Sequence, residues 1–278
     1  MHDHSHHSLK PSIQIEQHKH HFTKSEQKIV HYILTNHENI IYDSLTELSE
    51  NSEVAEATAL RFFRKIGFSG FQAFKLAYAH EQTYRQQESA LDYVDQIKAN
   101  MVTAIEESYH LVDQTQLDQA VKLINSSNDI VVFGIGASGI AALDMQNRLM
   151  RIGKNIEVIT DTHAQIMRAT SSKADTVIIA ISLTGSTKEI IDNITIAKNK
   201  GASIVALTNY SKSPLTKLAD IVLLSSAKEN PLDRGSLVSK ISQLYLIDLI
   251  CTGITILNSE EAERIKREIT ENTTNKLF

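Results

Sequence analysis

A cluster of hydroxyl side chains in the segment S-L-T-G-S-T-K-E is the strongest chemical signal in the chain. Ser182, Thr184, Ser186 and Thr187 occur within six residues, with Gly185 among them. The segment follows a β-branched run and opens a helix-like one. Hydroxyls beside the free N–H groups of a helix's first turn form a compact anion site, and the helix dipole favours negative charge there. The Gly-Lys-Ser/Thr of a P-loop is missing, so the segment predicts a different kind of phosphate site.

A second segment, G-I-G-A-S-G, carries glycines at the spacing G-x-G-x-x-G. Gly134, Gly136 and Gly139 follow the apolar run 130–133 and lead into a helix-like stretch. This is the context of a dinucleotide-binding turn, and Asp161 lies about 20 residues further on, where a ribose contact is expected. The same glycines would also let the backbone approach another phosphorylated ligand. The spacing alone does not choose between the two.

The elements that must position these loops alternate between strands and helices from residue 129 onward. Short runs rich in valine and isoleucine begin at Asp129, Asn155, Asp175, Ala202 and Asp220. Such near-continuous runs are typical of parallel strands covered on both faces. Their alternation with helical stretches predicts an α/β fold with a doubly wound sheet of five parallel strands. In such a sheet, ligands bind at the carboxyl ends of the strands, where both segments lie.

The first part of the chain is predicted to be all-α. Apolar residues recur at helical spacing, and Thr23 with Glu26 predicts a capping box at a helix start. Two short helical stretches follow, S-L-T-E-L-S-E-N-S-E-V and the A-E-A-T-A-L-R-F-F-R-K that precedes the break at G-F-S-G-F. The buried face predicted for the second of them consists of Ala57, Leu60 and Phe63.

The C-terminal segments together resemble a sugar isomerase (SIS) domain. The likeness rests on G-I-G-A-S-G, A-I-S-L-T-G-S-T-K-E and G-A-S-I-V-A-L-T-N-Y-S-K-S-P-L-T-K-L-A-D, and it covers roughly residues 129–257. SIS domains bind phosphosugars, so the resemblance implies that the hydroxyl loop surrounds a phosphate and that Ser138 contacts the sugar. The implied effector-binding residues are Gly136, Ala137, Ser138, Gly139, Ser182, Thr184, Gly185, Ser186, Thr187, Glu229, Arg234 and Lys240. For the last three, the alternative is a charged helix-entry loop with surface pairs.

The N-terminal part resembles the DNA-binding domain of the RpiR family of bacterial regulators, in which a helix-turn-helix precedes a SIS domain. The likeness is carried by S-E-Q-K-I-V-H-Y-I-L and by L-T-E-L-S-E-N-S-E-V-A-E-A-T-A-L-R-F-F-R-K-I-G-F-S-G-F-Q-A-F-K. It implies that Leu45–Asn51 is the first helix of the motif and Ala55–Lys65 the recognition helix. The implied DNA-binding residues are Glu56, Thr58, Arg61, Arg64, Lys65 and Lys75.

Three residues depart from the family pattern around the recognition helix. The family usually has serine where this chain has Ala55, which removes an N-cap and a phosphate contact. Glu53 and Glu56 add negative charge, and residues 1–85 hold no excess of lysine and arginine over acids. We therefore expect weak DNA binding by one subunit, which dimerisation strengthens by about doubling the phosphate contacts.

Four segments are predicted along the chain. Residues 1–20 are a disordered His-rich tail, 21–86 the helix-turn-helix domain, 87–126 a helical connector and 127–278 the SIS domain. In the tail, the spacing of His2, His4, His6 and His7 could bind a metal ion. No second group of ligands completes a site, so we predict neither a metal nor a cofactor.

Composition favours a soluble cytoplasmic protein. The 278 residues are 42% hydrophobic and 22% charged, with a net charge of -5. The longest apolar stretch, Leu244–Leu257, is interrupted by Asp248, Thr252 and Gly253, so it predicts a buried helix and no membrane span. The single cysteine, Cys251, lies in that stretch and is expected to be a core residue in a reducing compartment.

These features predict a regulator rather than an enzyme. The partners expected are a double-stranded DNA operator, a sugar-phosphate effector and further copies of the chain in a dimer or tetramer. N-acetylmuramate 6-phosphate, glucosamine 6-phosphate and 2-keto-3-deoxy-6-phosphogluconate all suit the site. A phosphosugar isomerase or etherase is the alternative, and a dehydrogenase a third possibility. The isomerase or etherase needs a general base, for which the candidates are Glu157, Glu189, Glu229 and His163.

Overall fold

The structure of the protein is a computed structural model that describes residues 10–37, 39–86, 93–226 and 237–274. It divides into two compact units, one ending at Gln96 and the other beginning at Ile97. His2, His4, His6 and His7 of the tail lie outside the described residues, as do Glu229 and Arg234, whereas Lys240 lies within them.

The first unit is built from helices. In chain order they are α1 (Pro11–His18), α2 (Lys24–Thr35), α3 (Leu45–Asn51), α4 (Glu56–Lys65) and α5 (Phe71–Gln86). Helix α1 lies within the segment 1–20 that the sequence predicts to be disordered. Pro11 occupies the first turn, where its missing N–H is harmless, and Ile15 is buried in the core. The apolar contact of Ile15 orders this part of the segment.

Aromatic packing holds the first unit together. Phe62, Phe63 and Phe74 are fully buried, and the ring centroid of Phe63 lies 5.0 Å from Phe71 and 4.9 Å from Phe74. These separations fall in the range of favourable aromatic pairs. The phenylalanines of the G-F-S-G-F-Q-A-F segment therefore pack α5 against α4.

The remaining elements belong mostly to the second unit. In chain order they are α6 (Tyr93–Leu111), α7 (Gln114–Ser126), β1 (Asp129–Gly134), α8 (Ala137–Met150), β2 (Glu157–Ile159), α9 (Thr162–Thr170), β3 (Thr176–Ile181), α10 (Lys188–Asn199), β4 (Ser203–Thr208), α11 (Pro214–Leu218), β5 (Ile221–Leu224), α12 (Leu237–Leu257) and α13 (Ser259–Thr274).

The five strands form one parallel sheet in the order β2-β1-β3-β4-β5. Residues of β1 alternate between the two faces: Val132 packs with α7, α8 and α12, whereas Val131 and Phe133 pack with α9, α10 and α11. All six residues of β3 are buried. The doubly wound parallel sheet predicted from the sequence is confirmed.

Helix α7 packs into the core of the second unit. The sequence assigns it to a connector over residues 87–126, but Leu117, Ala120 and Ile124 are buried in the same cluster as the sheet. Gln116 Oε1 also accepts a hydrogen bond from the Val222 amide of β5 (3.1 Å). The apolar stripe of α7 therefore covers one face of the sheet.

Helix α12 is the one described helix that is long and apolar enough to cross a membrane by length and composition. In the structure Leu246, Ile247 and Ile250 are buried in the sheet core. Cys251 is buried with them, and burial raises the pKa of its thiol to about 12. The thiol is therefore a packed, unreactive core group.

Helix α4 lacks the side-chain cap that its two predecessors have. Thr23 with Glu26 forms the predicted capping box on α2, and Ser44 with Glu47 forms another on α3. At α4 the capping position is Ala55, whose backbone is extended and whose methyl group satisfies no amide.

Ala55→Ser should stabilise the first unit. The backbone at residue 55 already has a capping conformation, so a serine hydroxyl there can accept from the first turn of α4. We expect the free energy of unfolding to rise by about 0.5–2 kcal/mol, measured by urea denaturation followed by circular dichroism. The control is Ala57→Ser, an exposed position inside the same helix, which should be neutral or slightly destabilising. Equal stabilities of the two variants would contradict this role of residue 55.

Candidate functional site

Strands β1 and β3 end side by side, and the chain order reverses between them. Gly134 at the end of β1 pairs with Ile181 at the end of β3, and the sheet continues with β2 on one side and β4 on the other. This is the switch point of a doubly wound sheet, outside which ligands bind. The loop that follows Gly134 and the loop at residues 182–187 (the hydroxyl loop) therefore start next to each other.

The three glycines at the junction of β1 and α8 have different physical roles. A Cβ on Gly134 would lie 2.7 Å from Ser138 O, and one on Gly139 would lie 2.8 Å from Thr160 Cγ2. Both glycines thus allow α8 to pack closely against the strand ends. Gly136 has φ +58°, and a Cβ there would meet nothing within 4 Å. It leaves the backbone open to an incoming ligand.

Asp161 has a structural role that is different from a ribose contact. It is the N-cap residue of α9, and its carboxylate accepts a hydrogen bond from the Ala164 amide (2.8 Å). The acidic residue that the dinucleotide interpretation requires is thus used to begin a helix. This removes the main support for that interpretation beyond the glycine spacing.

The hydroxyl loop gathers its side chains at the start of α10. Ser182 is buried, and its Oγ lies 3.4 Å from Thr187 Oγ1. Thr184 Oγ1 accepts from the Ser186 amide (3.3 Å), and Ser186 Oγ donates to Thr184 O (3.1 Å). Thr187 is the N-cap residue of α10 but its side chain does not cap the helix. An uncapped helix N-terminus surrounded by hydroxyls has the chemistry of an anion site.

Gly185 shapes the hydroxyl loop. The resemblance implies that its amide lies close to a phosphate, but that N–H donates to Ser182 O (3.1 Å) within the turn. Gly185 has φ +58°, and a Cβ there would overlap the Ser213 hydroxyl and approach Thr208 Oγ1 to 3.0 Å. Its carbonyl accepts from the Leu215 amide (3.0 Å). The loop turns against α11 at Gly185, so a residue with a Cβ would not fit there.

Residues from β4 and α11 brace the hydroxyl loop. Leu183 O accepts both the Asn209 amide (3.0 Å) and Thr208 Oγ1 (3.2 Å). Ser213 and Thr216 form a capping box on α11. Sequence reasoning missed these supporting residues, although the S-P-L-T pattern with proline at the first helical position is a signal for such a cap.

Ser138 contacts a residue that sequence reasoning also missed. Ser138 is buried in the first turn of α8, and its Oγ accepts a hydrogen bond from Gln243 Nε2 of α12 (3.0 Å). Lys240 is half-buried three residues before Gln243 and makes no hydrogen bond or ion pair within the described ranges. A polar residue inside an apolar helix is the signal that would have singled out Gln243.

The candidate general bases are dispersed. Glu157 forms an ion pair with Arg168 (2.8 Å) at the start of β2, which is the opposite end of the strand from the loops. Glu189 and His163 are exposed on the first turns of α10 and α9. Glu229 lies outside the described residues.

The buried face of α4 differs from the predicted one. Ala59, Phe62 and Phe63 are fully buried, whereas Ala57 is exposed and Leu60 half-buried. The predicted face was wrong for Ala57 because the helix is anchored by the i, i+3, i+4, i+7 set that ends at Ile66. The opposite face carries Arg61 and Arg64.

The predicted DNA-binding residues differ in exposure and in their partners. Arg64 and Arg61 are exposed, and Arg61 Nη2 donates to Thr58 Oγ1 (3.2 Å) beside it. Glu56 instead accepts from Thr46 Oγ1 (2.7 Å) and ties α4 to α3.

Two predicted DNA-binding lysines have structural partners. Lys65 Nζ pairs with Glu26 (2.8 Å) and donates to His21 O (2.7 Å). Burial alone would raise the pKa of Glu26, but hydrogen bonds from Lys65 and Thr23 outweigh it and lower the pKa. Lys75 is 4% exposed, and its Nζ donates to Asp43 O (2.7 Å). Lys75 is therefore corrected to a core residue that joins α5 to the segment before α3.

The α3–α4 turn is strained and charged. Glu53 has φ +54°, an unusual conformation for a residue with a side chain. Its carboxylate pairs with Lys28 of α2 (2.5 Å), an exposed contact that also lowers the pKa of Glu53 through the hydrogen bond from Lys28. The negative charge that the sequence places near DNA is thus partly compensated.

Comparison with known proteins gives the family. Residues 11–85 match the helix-turn-helix domain of the rpiR family, and residues 123–253 match the SIS domain. An uncharacterized HTH-type transcriptional regulator of Clostridium perfringens is 35% identical over 252 residues, which is 87% of this chain and 90% of the relative. The chain belongs to the rpiR family of helix-turn-helix transcriptional regulators.

Two other similar proteins extend the comparison. The HTH-type regulator HexR of Pseudomonas aeruginosa is 28% identical over 89% of this chain and 90% of its own. The solved structure of Vibrio vulnificus NanR complexed with ManNAc-6P has a TM-score of 0.88 and 28% identity, covering 96% of this chain and 99% of that one. Both predicted resemblances are confirmed, and they occur in the expected order.

Gly185→Ala should disrupt the hydroxyl loop of this rpiR-family regulator. The added Cβ combines a positive φ with a clash against Ser213, and both destabilise the loop. We expect a melting temperature several degrees lower, at about 2–4 °C per kcal/mol for a protein of this size, measured by calorimetry.

The matched control is Gly201→Ala at the other end of α10. Gly201 also has positive φ, but its Cβ would only reach Ala174 at ordinary contact distance, 3.5 Å. This variant should be destabilised by about 1–2 kcal/mol, the cost of a left-handed backbone for a residue with a Cβ. If the two variants melt at the same temperature, the contact with Ser213 does not fix the loop.

Proposed function

We propose that the protein is a DNA-binding transcriptional regulator of sugar catabolism genes whose operator affinity is controlled by a bound sugar phosphate. The proposal rests on one observation. The same chain has the hydroxyl loop at the β1–β3 switch point and the α3–α4 helix pair. The switch point supplies the ligand crevice, and α4 supplies an exposed pair of arginines. As a regulator of transcription, it acts in the cytoplasm.

The proposed effector is the 6-phosphate of an amino sugar or a sugar acid. Its phosphate lies at the hydroxyl loop, against Ser182, Thr184, Ser186 and Thr187, with the uncapped start of α10 favouring the negative charge. Its sugar lies toward Ser138. The bound ManNAc-6P of the NanR structure makes that compound the first to test, beside the three sugar phosphates that suit the sequence. Lys240, Glu229 and Arg234 remain candidates for closing over the sugar.

The proposed DNA-binding surface is smaller than the sequence predicts. It consists of Thr58, Arg61 and Arg64 on α4, with α4 entering the major groove as the second helix of the motif. Few cations on one subunit give weak binding, because DNA affinity depends on the number of phosphates neutralised. Tight operator binding therefore requires two subunits.

The proposed assembly is a homodimer, or a tetramer made of two dimers. Ile140, Leu143 and Met150 form an exposed stripe along α8, at 61%, 51% and 54% exposure. Three large apolar side chains in line on one helix are typical of a surface that pairs with its own copy. A dimer also presents two recognition helices to half-sites about 34 Å apart or a multiple of that distance.

We further propose that the protein is not an enzyme. A proton-transfer reaction needs a base within reach of the substrate proton, whereas Glu157 pairs with Arg168 at the far end of β2 and Glu189 and His163 are exposed on helix surfaces. The isomerase or etherase remains the alternative, with Glu229 and His163 as its candidate bases. Turnover of any hexose phosphate by the purified protein would establish it.

Effector control is tested by operator binding. Fluorescence anisotropy with a DNA fragment from the regulated promoter is recorded with and without ManNAc-6P and the three other sugar phosphates. We expect at least one compound to change operator affinity by about 5- to 150-fold, the usual range of allosteric coupling. Thr184→Val should abolish the response while leaving the affinity without effector unchanged.

The control for Thr184→Val is Thr195→Val on α10. Thr195 is exposed, and its hydroxyl donates only to Ile191 O within the helix (2.7 Å), so this variant should respond like the parent protein. If no compound in the panel shifts either the operator affinity or the melting temperature, the proposed function is wrong.

Arg64→Ala should weaken operator binding without unfolding the helix. Removing one phosphate contact reduces the slope of log K against log salt by about 0.9, so the variant dimer, with two such contacts removed, should show a slope smaller by about 1.8. The measurement is a salt titration of operator binding. Arg264→Ala removes an exposed arginine that pairs with Glu261 and Glu268 on α13, and it should leave the slope unchanged. A slope unaffected by Arg64→Ala would exclude Arg64 as a phosphate contact.

A further inference from the structure

Gln243 is a buried amide on the core-facing side of α12, where Ser239 and Ser242 are also buried. It is 3% exposed, and the residues that follow on the same buried face include Leu246, Ile247 and Ile250. An amide in such a position is unfavourable unless it is hydrogen-bonded. The Nε2 group of Gln243 donates to Ser138 Oγ at 3.0 Å. The polar group therefore has a defined partner, and that partner belongs to the proposed effector site.

The hydrogen bond leaves Ser138 with a donor to offer. A serine hydroxyl has one proton and two acceptor lone pairs. Because Ser138 Oγ accepts from Gln243, the proton is not used in this contact, and the hydroxyl has no other partner in the described part of the chain. Ser138 also follows Gly136 closely, where the backbone is open. The hydroxyl is thus available to donate to an oxygen of a ligand bound outside β1.

We propose that Gln243 is a positioning residue of the effector site, which holds Ser138 so that its hydroxyl donates to an oxygen of the sugar. The inference rests on the proposed function and deepens it. The hydroxyl loop binds the phosphate that all candidate effectors share, whereas the Gln243–Ser138 pair recognises the sugar. A ligand without a sugar oxygen at this place, such as inorganic phosphate, is not stabilised by the pair.

The pair also connects the ligand to the packing of two helices. Gln243 belongs to α12 and Ser138 to α8, and the two helices pack against each other. A hydrogen bond donated by Ser138 strengthens the one it accepts, because consecutive hydrogen bonds polarise each other. A bound sugar therefore tightens the junction of α12 with α8, the helix whose exposed stripe is the proposed subunit contact.

The test compares two kinds of ligand on three forms of the full chain. Isothermal titration gives the Kd of inorganic phosphate and of each sugar phosphate in the panel for the parent protein, Gln243→Met and Ser138→Ala. Methionine matches glutamine in length but has no N–H to donate. We expect Gln243→Met to raise the Kd of the tightest sugar phosphate about tenfold (~1.4 kcal/mol) and to change the Kd of inorganic phosphate less than about twofold, since the pair does not contact that ligand.

A double-mutant cycle separates positioning from a general effect on packing. If Gln243 acts through Ser138, the double variant should bind the sugar phosphate no more weakly than Ser138→Ala alone. The matched control is Gln146→Met on α8, which removes an Nε2 donation to Ile156 O (2.9 Å) two turns from Ser138. It should lower the melting temperature but leave the ratio of the two Kd values as in the parent protein.

Each outcome decides a different claim. If the parent protein binds no sugar phosphate, the proposed function fails and the role of Gln243 fails with it. If sugar phosphates bind the parent and Gln243→Met with the same Kd, the proposed function stands and the role of Gln243 is overturned. Additive effects in the double variant, or a changed Kd ratio in Gln146→Met, would also overturn it.

Discussion

Parallel pairing of β1 with β3 is the constraint on which the site depends. It brings Gly134 opposite Ile181, so that two loops far apart in sequence begin at one edge of the sheet. Because β2 and β4 extend the sheet in opposite directions from this pair, the helices that follow β1 and β3 lie on opposite faces. The crevice between them is a consequence of strand order, and the loops then supply its chemistry.

The rest of the second unit makes these loops rigid. The sheet is buried on both faces, β4 and α11 hold the hydroxyl loop through Leu183 and Gly185, and α12 reaches Ser138 through Gln243. Sites carried on packed elements and supported by a further layer of hydrogen bonds keep their geometry. In the proposed complex the ligand contacts these two loops, and three further elements fix the positions of the loops.

The fold could be predicted largely from the sequence because local patterns determine its elements. Valine- and isoleucine-rich runs indicated all five strands, and Thr23 with Glu26 indicated the start of α2. The two helices of the helix-turn-helix lie where the family resemblance implies, with α4 beginning one residue later, at Glu56. The hydroxyl loop could be found in the same way, since its residues are contiguous. Its role in binding remains a prediction.

The errors concern residues whose roles depend on distant partners. Lys75 has the charge of a DNA-binding residue, but it is buried, and its partner Asp43 is 32 residues away in the chain. Gln243 is 105 residues from Ser138. No local pattern encodes such contacts. The assignment of Ala57 to the buried face of α4 was wrong for a simpler reason, because a short amphipathic helix fits more than one rotation about its axis.

A crystal structure of the protein with a bound sugar phosphate tests the central claim most directly. The account predicts the phosphate within hydrogen-bond distance of the Ser182 and Thr187 hydroxyls and of the first amides of α10, with a sugar oxygen beside Ser138 Oγ. A phosphate bound elsewhere on the chain, with the hydroxyl loop unchanged and empty, would contradict it.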